Sequence, residues 1–184
     1  MIIYLRKIKK TRYQADEETA RIEAFQSEKR KLQSLAGYFL LKDILKEKGY
    51  HTFKIIRKDN QKPKLDVPLF YSLSHSMDYV VCMVEKEEIG IDIQYPTEKL
   101  LNIRRKTGEL SDDIKTLSKH WVLKEAYIKY IGNPKIPLKD IKIKGSNPYI
   151  LTYQEPAYCQ VIEFNDYVIA VCMKENKKVV LKHD

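Results

Sequence analysis

The stretch Ile89–Gln94, which reads IGIDIQ, indicates a strand that carries a carboxylate inside an apolar setting. Its three isoleucines are predicted to face one way, while Gly90, Asp92 and Gln94 face the other way. A partly buried carboxylate needs a cation or several hydrogen-bond donors. Mg²⁺ would suit such oxygen ligands, with substrate phosphates completing its shell. The alternative is a strand-end aspartate that accepts hydrogen bonds from a turn.

Two segments of the chain carry the apolar spacing of helices. The first is predicted to span Ser27–Lys48, with Ser27 as its N-cap and Gly49 as its stop signal. The second is predicted to span Asp112–Tyr130, with Ser111 as its N-cap. Both helices carry apolar residues at helical spacing, and the other faces of the first helix carry basic residues.

A single glutamate lies on an apolar stripe of the second helix. Trp121, Glu125 and Ile128 are spaced to share one helical face. Partial removal from water would raise the pKa of Glu125 and suit the carboxylate to base chemistry. The alternative is an ordinary surface pair between Glu125 and Lys129, four residues later.

The remaining apolar runs read as strands. They are predicted at Phe53–Arg57, Leu69–Leu73, Asp78–Glu85 and Ile89–Gln94, and again within the segment 137–182. The segment between the first two, residues 58–68, reads as a polar loop that contains proline. These strands and helices together predict the α+β fold class.

The triplet Ser74-His75-Ser76 is predicted to form a turn between two strands. Backbone amides and serine hydroxyls in such a turn could grip a phosphate, with His75 adding a donor or a charge. Lys62, which precedes the rigid Pro63, is a second candidate anion contact. A turn histidine with a purely structural role is the alternative, and no nucleophile motif of the hydrolase type is present.

The chain contains an internal echo. Residues 78–81 (DYVV) resemble residues 166–169 (DYVI) at an offset of 88 residues, which suggests two related halves. At this offset Asp92 corresponds to Val180, so only the first half would carry the carboxylate. Chance likeness between two short strands is the alternative.

Composition indicates a soluble domain that favours anions. The 184 residues carry a formal net charge of +9, which suits nucleic acid, acidic membranes, phosphorylated molecules or acidic proteins, or serves solubility alone. Cys82, Cys159 and Cys172 lie far apart in apolar runs and are predicted to be reduced core residues, without a disulfide or zinc site. Residues 1–10 do not resemble a signal peptide, and the protein is expected to be cytoplasmic.

Four sequence blocks resemble the Sfp-like class of phosphopantetheinyl transferases. The blocks are Gln61–Pro63 (QKP), Phe70–Ser76 (FYSLSHS), Ile89–Gln94 (IGIDIQ) and Trp121–Lys129 (WVLKEAYIK). The resemblance covers roughly residues 61–132 and extends weakly to the basic first helix. It departs from the family where Gln94 replaces a glutamate and Gln61 replaces a glycine.

The resemblance implies two similar α/β halves, residues 1–95 and 96–184, related by a pseudo-two-fold axis with a ligand cleft between them. It implies that Asp92 and Glu125 hold Mg²⁺, with Gln94 as an uncharged ligand. Glu125 would also deprotonate the acceptor serine, and Lys129 would neutralise the pyrophosphate. The implied contacts to the adenosine phosphates of coenzyme A are Lys62, Pro63, Ser74, His75, Arg30 and Lys42.

The implied activity is transfer of 4′-phosphopantetheine from coenzyme A to a serine of an apo acyl or peptidyl carrier protein, of the holo-[acyl-carrier-protein] synthase type. The reaction would need Mg²⁺ and release 3′,5′-ADP. The partner would be an acidic carrier protein, without nucleic acid or membrane, and the enzyme would be a monomer. Two alternatives remain: a degenerate coenzyme A-binding relative, and a basic module that binds phosphate or nucleic acid.

Overall fold

The computed structural model describes residues 1–10 and 14–183, which form a mixed α+β fold. The helices are α1 (Glu17–Glu23), α2 (Glu28–Glu47), α3 (Lys99–Thr107) and α4 (Ile114–Ile131). The strands are β1 (Ile2–Lys7), β2 (Ile55–Ile56), β3 (Lys64–Leu65), β4 (Phe70–Ser76), β5 (Tyr79–Glu85), β6 (Ile89–Gln94), β7 (Lys142–Gly145), β8 (Tyr149–Thr152), β9 (Ala157–Phe164), β10 (Tyr167–Met173) and β11 (Val180–His183). No helix in the described ranges is long and apolar enough to cross a membrane.

The strands assemble into two larger sheets and a short ribbon. The first sheet has the order β11-β1-β5-β4, the second has the order β6-β10-β9-β8-β7, and β2 pairs with β3. The pairing of β1 with β11 is parallel, whereas β1 with β5, β4 with β5, and β6 with β10 are antiparallel. The strands β4 and β6 are each the last strand of a sheet, and they lie side by side in the fold.

The core is built in four layers: α2, the first sheet, the second sheet and α4. Strand alternation explains the layers, because Val81 of β5 packs with Ile169 of β10 between the sheets, while the next residue, Cys82, faces α2. On the other side, Val168 of β10 packs against Leu123 of α4. Each fully buried aliphatic side chain contributes roughly 1.5–3 kcal/mol to folding.

The closest approach between β6 and α4 occurs at Gly90. A Cβ atom on Gly90 would overlap the carbonyl oxygen of Ala126 and lie 2.5 Å from the amide nitrogen of Tyr130. Only glycine therefore lets the strand that carries Asp92 lie directly against the helix that carries Glu125.

The two helices predicted from apolar periodicity are confirmed, although one of them has a different N-cap residue. Helix α2 begins after Ser27, whose hydroxyl accepts a hydrogen bond from the Arg30 amide, and Gly49 follows its end with φ of 87°. Helix α4 is capped by Asp113 and not by Ser111, because the Asp113 carboxylate accepts from two amides of the first turn. Helices α1 and α3 were not predicted.

The strand predictions need three corrections. The predicted strand at 53–57 is limited to β2, and the predicted loop at 58–68 contains β3. The triplet Ser74-His75-Ser76 lies inside β4, and the tight turn comes at Met77, whose φ is 46°. Because β4 continues through the triplet, its serines and its histidine point to opposite faces of the sheet.

Alternate serines on β4 connect its edge to β6, and we call this contact the serine seam; it comprises Ser72, Ser74 and Ser76 with the facing residues of β6. The Ser72 hydroxyl accepts a hydrogen bond from the Ile91 amide at 2.9 Å. The Ser76 hydroxyl accepts from the Tyr95 amide, also at 2.9 Å. Serine side chains thus join the edges of the two sheets where a backbone ladder would otherwise be needed.

The internal echo extends to strand register. In the hairpin β4–β5, Ser74 pairs with Val81, and in the hairpin β9–β10, Ile162 pairs with Ile169, which is the same pairing 88 residues later. The same offset carries the pairing of β1 with β5 onto that of β6 with β10. The two sheets therefore share one three-strand arrangement, β1-β5-β4 and β6-β10-β9.

The cysteine prediction was wrong for one pair. Cys159 of β9 and Cys172 of β10 are direct cross-strand partners and form a disulfide. Their Cα atoms lie 4.2 Å apart although 13 residues separate them in sequence, and only the strand register brings them together. Cys82 has a free thiol, and burial raises its pKa well above the usual value.

Candidate active site

The candidate active site is centred on Asp92, which is 6% exposed in the middle of β6. Its Oδ1 atom accepts hydrogen bonds from the Ser74 hydroxyl at 2.6 Å and from the Lys129 ammonium at 2.7 Å. Its Oδ2 atom has no hydrogen-bond partner within residues 1–10 and 14–183. In these residues every side-chain oxygen that is fully buried has a partner, so Oδ2 must be accessible to solvent. Oδ2 is therefore open to a ligand.

Glu125 faces Asp92 from α4. Burial raises the pKa of Glu125, the charge of Asp92 raises it further, and Lys129 opposes both effects. This direction agrees with the sequence prediction, because Trp121, Glu125 and Ile128 are all half-buried along the edge of α4. Within the described part of the chain, Glu125 has no hydrogen-bond or ion-pair partner, so its carboxylate is available for chemistry.

Gln94 lies at the end of β6, on the same face of the strand as Asp92. Its side-chain nitrogen donates to the backbone carbonyl of Tyr95 at 2.6 Å. The amide is half-buried, and its oxygen has no hydrogen-bond partner in the described ranges. The oxygen is therefore available as a neutral ligand.

The donor set at this centre fits Mg²⁺. It offers two carboxylates, Asp92 and Glu125, and the amide oxygen of Gln94, and Mg²⁺ prefers oxygen ligands of this kind. The effect of Asp92 on the pKa of Glu125 indicates negative charge that a cation would relieve. The described residues contain no cluster of three or more His, Cys, Asp or Glu side chains suited to a metal, so phosphate oxygens or water would have to complete the shell.

A pocket of about 350 Å³ lies next to this centre, between α2, the β2–β3 ribbon, β4 and the end of α4. Lys129 lines the pocket and also binds Asp92, so it links the two features. The lining includes Glu18, Tyr38, Arg57, Gln61, Lys62, Pro63, Tyr71, Ser72, Leu73, Ile128, Gly132 and Pro134. Its walls combine apolar and aromatic side chains with a few charges, as ligand pockets generally do.

Lys62 and Pro63, which the sequence predicted as an anion contact, both line the pocket. The Lys62 ammonium donates to a carboxylate oxygen of Glu88 at 2.8 Å and to the Ile89 carbonyl at 2.7 Å. Burial lowers the pKa of Lys62, and the partner Glu88 opposes this effect. Lys62 therefore ties the loop to the start of β6 as well as bordering the pocket.

Ser74 and His75 do not act as neighbours, because strand alternation separates them. The Ser74 hydroxyl is buried and donates to Asp92, whereas His75 is exposed on the opposite face of β4. Partial desolvation lowers the pKa of His75, and the positive charges of Lys129 and Arg30 lower it further. Arg30, predicted to contact the ligand, thus lies close enough to His75 to influence its charge, and it stacks on Phe25 with 4.6 Å to the ring centroid.

Two cations near the pocket are paired with carboxylates of the α1 segment. The Lys42 ammonium lies 3.3 Å from Asp16, which also accepts a 2.7 Å hydrogen bond from the Tyr38 hydroxyl. Arg57 makes two hydrogen bonds of 2.7 Å with Glu18. A phosphate that bound either cation would share it with a carboxylate or displace that carboxylate, because both cations have donors that these contacts do not use.

Sequence reasoning missed Glu18, Tyr38 and Arg57 as pocket residues. The signal for α1 was present, because Asp16 followed by two glutamates is typical of a helix N-terminus, and Asp16 is the observed N-cap. No local signal identified Arg57, whose place depends on the β2–β3 ribbon and on α1. The structure brings Asp92, Glu125, Lys129 and Ser74 together with Gln94 adjacent on β6, while Arg30 and Lys42 lie further out on α2.

Two characterised proteins are similar to this chain, although no protein-family model matches it. The 4′-phosphopantetheinyl transferase gsp of Aneurinibacillus migulanus is 27% identical over 138 residues, covering 67% of this chain and 58% of the relative. The 4′-phosphopantetheinyl transferase HetI of Nostoc sp. is 32% identical over 106 residues, covering 50% of this chain and 42% of the relative. The chain spans about half the length of the curated relatives it matches. These two relatives and the four sequence blocks support an assignment to the phosphopantetheinyl transferase family.

Proposed function

We propose that the protein transfers the 4′-phosphopantetheine group of coenzyme A to a serine of an apo carrier protein. The observation that carries this proposal is the buried Asp92, held by Ser74 and Lys129 and facing Glu125 beside a ligand-sized pocket. The names of the two relatives support phosphopantetheinyl transfer in general. Beyond this general activity, we propose coenzyme A as the donor, a carrier-protein serine as the acceptor and Mg²⁺ as the metal.

In the proposed reaction, the serine oxygen of the carrier protein forms a new bond to the phosphorus that carries the pantetheine arm. The bond from that phosphorus to the bridging oxygen of the pyrophosphate breaks, and 3′,5′-ADP leaves with the electron pair. Glu125 accepts the serine proton, a role that its raised pKa and unpaired carboxylate suit. Lys129, between the pocket and Asp92, neutralises charge on the leaving pyrophosphate.

Bound Mg²⁺, held by Asp92, Glu125 and Gln94, would supply positive charge to the pyrophosphate oxygens. The protein's own residues hold the carboxylate oxygens of the site in place before the ligand binds. Ser74 and Lys129 fix one oxygen of Asp92, and the packing of Gly90 against Ala126 keeps β6 against α4. Such preorganisation favours the transition state, because the groups need not reorient during the reaction.

The adenosine phosphates are proposed to bind the cations around the pocket. Lys62 and Pro63 border it, and Arg30 supplies a further positive charge near His75, whose lowered pKa favours a neutral imidazole that can still donate a hydrogen bond. Lys42 would bind a phosphate oxygen through a donor that its 3.3 Å contact with Asp16 does not use. The net charge of +9 also supports an acidic carrier protein as the partner, because opposite charges accelerate encounter.

Two related halves, residues 1–95 and 96–184, are part of the proposal. The common register of the two hairpins at an offset of 88 residues supports an origin in one repeated unit. The halves exchange strands, because β6 pairs in the second sheet and β11 pairs in the first. A pseudo-two-fold axis would then pass near the contact of the two sheets, with the ligand cleft beside it.

A degenerate relative that binds coenzyme A without transfer is the second candidate. Gln94 favours it, because an amide supplies no charge to a metal where the family has glutamate. The unpaired Glu125 and the Lys129–Asp92 pair favour transfer instead.

Intact-protein mass spectrometry tests the proposal directly. An apo carrier protein is mixed with this protein, coenzyme A and Mg²⁺, with an EDTA control. A metal-dependent gain of one phosphopantetheine supports transfer. Coenzyme A binding without any gain on several carriers favours the degenerate relative, and the absence of binding returns a basic phosphate- or nucleic-acid-binding module as the alternative.

A further inference from the structure

The serine seam contains one serine whose bond differs from the others. Ser72 and Ser76 accept hydrogen bonds from backbone amides of β6 and its extension. Ser74, between them, donates instead to the side chain of Asp92 at 2.6 Å. The three serines share one face of β4 and are all buried, so the difference lies in the partner and not in the setting.

The direction of this bond restricts what Ser74 can do for a ligand. A serine hydroxyl has a single proton to donate, and phosphate oxygens only accept hydrogen bonds. The Ser74 hydroxyl donates its proton to Asp92 in a short, charge-assisted hydrogen bond, which is stronger than a bond between neutral groups. Binding a phosphate through the Ser74 hydroxyl would therefore require breaking the contact to Asp92.

The bond also divides the two oxygens of Asp92. Ser74 and Lys129 both bind Oδ1, from β4 and from α4 respectively. Two fixed donors on one oxygen determine the rotation of the carboxylate and direct Oδ2 away from them. With Ser74 removed, Lys129 alone would hold Oδ1; its ammonium is also bound to the Leu73 carbonyl at 3.3 Å, but a single donor leaves the carboxylate free to rotate about that bond.

We propose that Ser74 is a positioning residue that orients Asp92 for the divalent cation, and not a contact to the phosphates of the substrate. This inference rests on the proposed function, because it assumes that Asp92 holds the metal. Residues that orient metal ligands typically change metal affinity by about 10- to 100-fold when they are removed.

Mn²⁺ serves as the probe, because its free form is counted directly by electron paramagnetic resonance without any turnover. Affinity is measured at saturating coenzyme A and without carrier protein, for wild type, Ser74→Ala, Ser74→Thr and Ser76→Ala. Ser76→Ala is the matched control, because Ser76 is as buried as Ser74, at 8% exposure, but binds the Tyr95 amide.

We expect Ser74→Ala to weaken Mn²⁺ binding about tenfold, Ser74→Thr to restore it, and Ser76→Ala to leave it unchanged. If Ser74→Ala does not fold, Ser74→Cys keeps the volume with a weak donor and should weaken binding in the same way. Equal affinities for the Ser74 and Ser76 variants would overturn the inference alone. Wild-type protein without Mn²⁺ affinity would overturn the metal role of Asp92, and the inference with it.

Discussion

The hairpins β4–β5 and β9–β10 have the same register but different side chains at their contacts. Ser74 faces β6 in the first hairpin, and Ile162 occupies the corresponding register position in the second. Ser74 binds the Asp92 carboxylate, whereas Ile162 packs into the apolar cluster between the sheets with Val179 and Leu181. One strand arrangement thus carries a polar contact in one place and an apolar contact in the other.

The neighbouring contacts follow the same contrast. Ser76 accepts from the Tyr95 amide, and 88 residues later Phe164 stacks near His183, with 5.6 Å between ring centroids. The apolar version contributes to the core through buried area, while the polar version holds a carboxylate in a fixed orientation. Under the proposed function, the chemistry depends on a few side chains at one sheet edge, because the same strand arrangement carries only apolar contacts at the other edge.

The largest expected effect comes from the polar side of the comparison. Glu125→Gln should lower transfer about 10²- to 10⁴-fold, because the amide cannot accept the serine proton. The fold should be intact, since Glu125 makes no hydrogen bond or ion pair among the described residues. Initial transfer rates and the melting temperature are measured together, and normal turnover by a folded variant would contradict the role of Glu125.

A polar substitution in the hairpin β9–β10 should lower the unfolding free energy without changing the transfer rate. Ile162→Ser places a hydroxyl in a half-buried apolar contact and should cost about 1–3 kcal/mol of unfolding free energy. Urea denaturation measures this cost. Transfer per folded molecule should equal that of wild type, and a specific loss of transfer would show that the second hairpin takes part in catalysis.

A polar cluster outside both hairpins provides a third test. Although burial alone would raise the pKa of Glu109, hydrogen bonds from His120 and Lys124 hold it below the ordinary value of 4.5. A lowered folded-state pKa means that stability is present above the unfolded-state pKa and is lost as pH falls through the folded-state pKa. Glu109→Gln should remove about 1–2 kcal/mol at neutral pH and flatten the acid dependence of the unfolding free energy.

A pH series tests whether the charge of Glu109 provides this stability. Melting curves of wild type and Glu109→Gln are compared from neutral pH to pH values below the ordinary glutamate pKa. The two should converge at the acid end, where the Glu109 carboxylate is protonated in both the folded and the unfolded wild type. A constant difference across the whole range would contradict the ionic role of Glu109.

The smallest expected effect concerns Gln94. Gln94→Glu adds a charge beside Asp92 and removes the side-chain donor that now binds the Tyr95 carbonyl. The Mg²⁺ concentration for half-maximal transfer should fall about threefold, because a charged oxygen ligand binds the ion more strongly. An unchanged or increased requirement, with a normal melting temperature, would mean that Gln94 is not near the metal.

Local patterns predicted the elements that carry the site, and long-range pairing determined the rest. Periodicity and caps located α2 and α4, and strict alternation placed Asp92 on the polar face of β6. The partner of Ser74 could not be predicted, because β4 and β6 are edge strands of different sheets and no local pattern shows which edges lie together. The Cys159–Cys172 disulfide was missed for the same reason, since it depends on the register of β9 with β10.

We propose that the Asp92 carboxylate, on the polar sheet edge, makes this protein a metal-dependent transferase. The most direct test is the rate of phosphopantetheine mass gain on an apo carrier protein, measured for wild type and Asp92→Asn at matched folded fraction. Asparagine keeps an oxygen for Ser74 but removes the charge that Lys129 and the cation need. We predict a Mg²⁺-dependent gain with wild type and none with the variant; equal gains, or no gain with wild type, would contradict the claim.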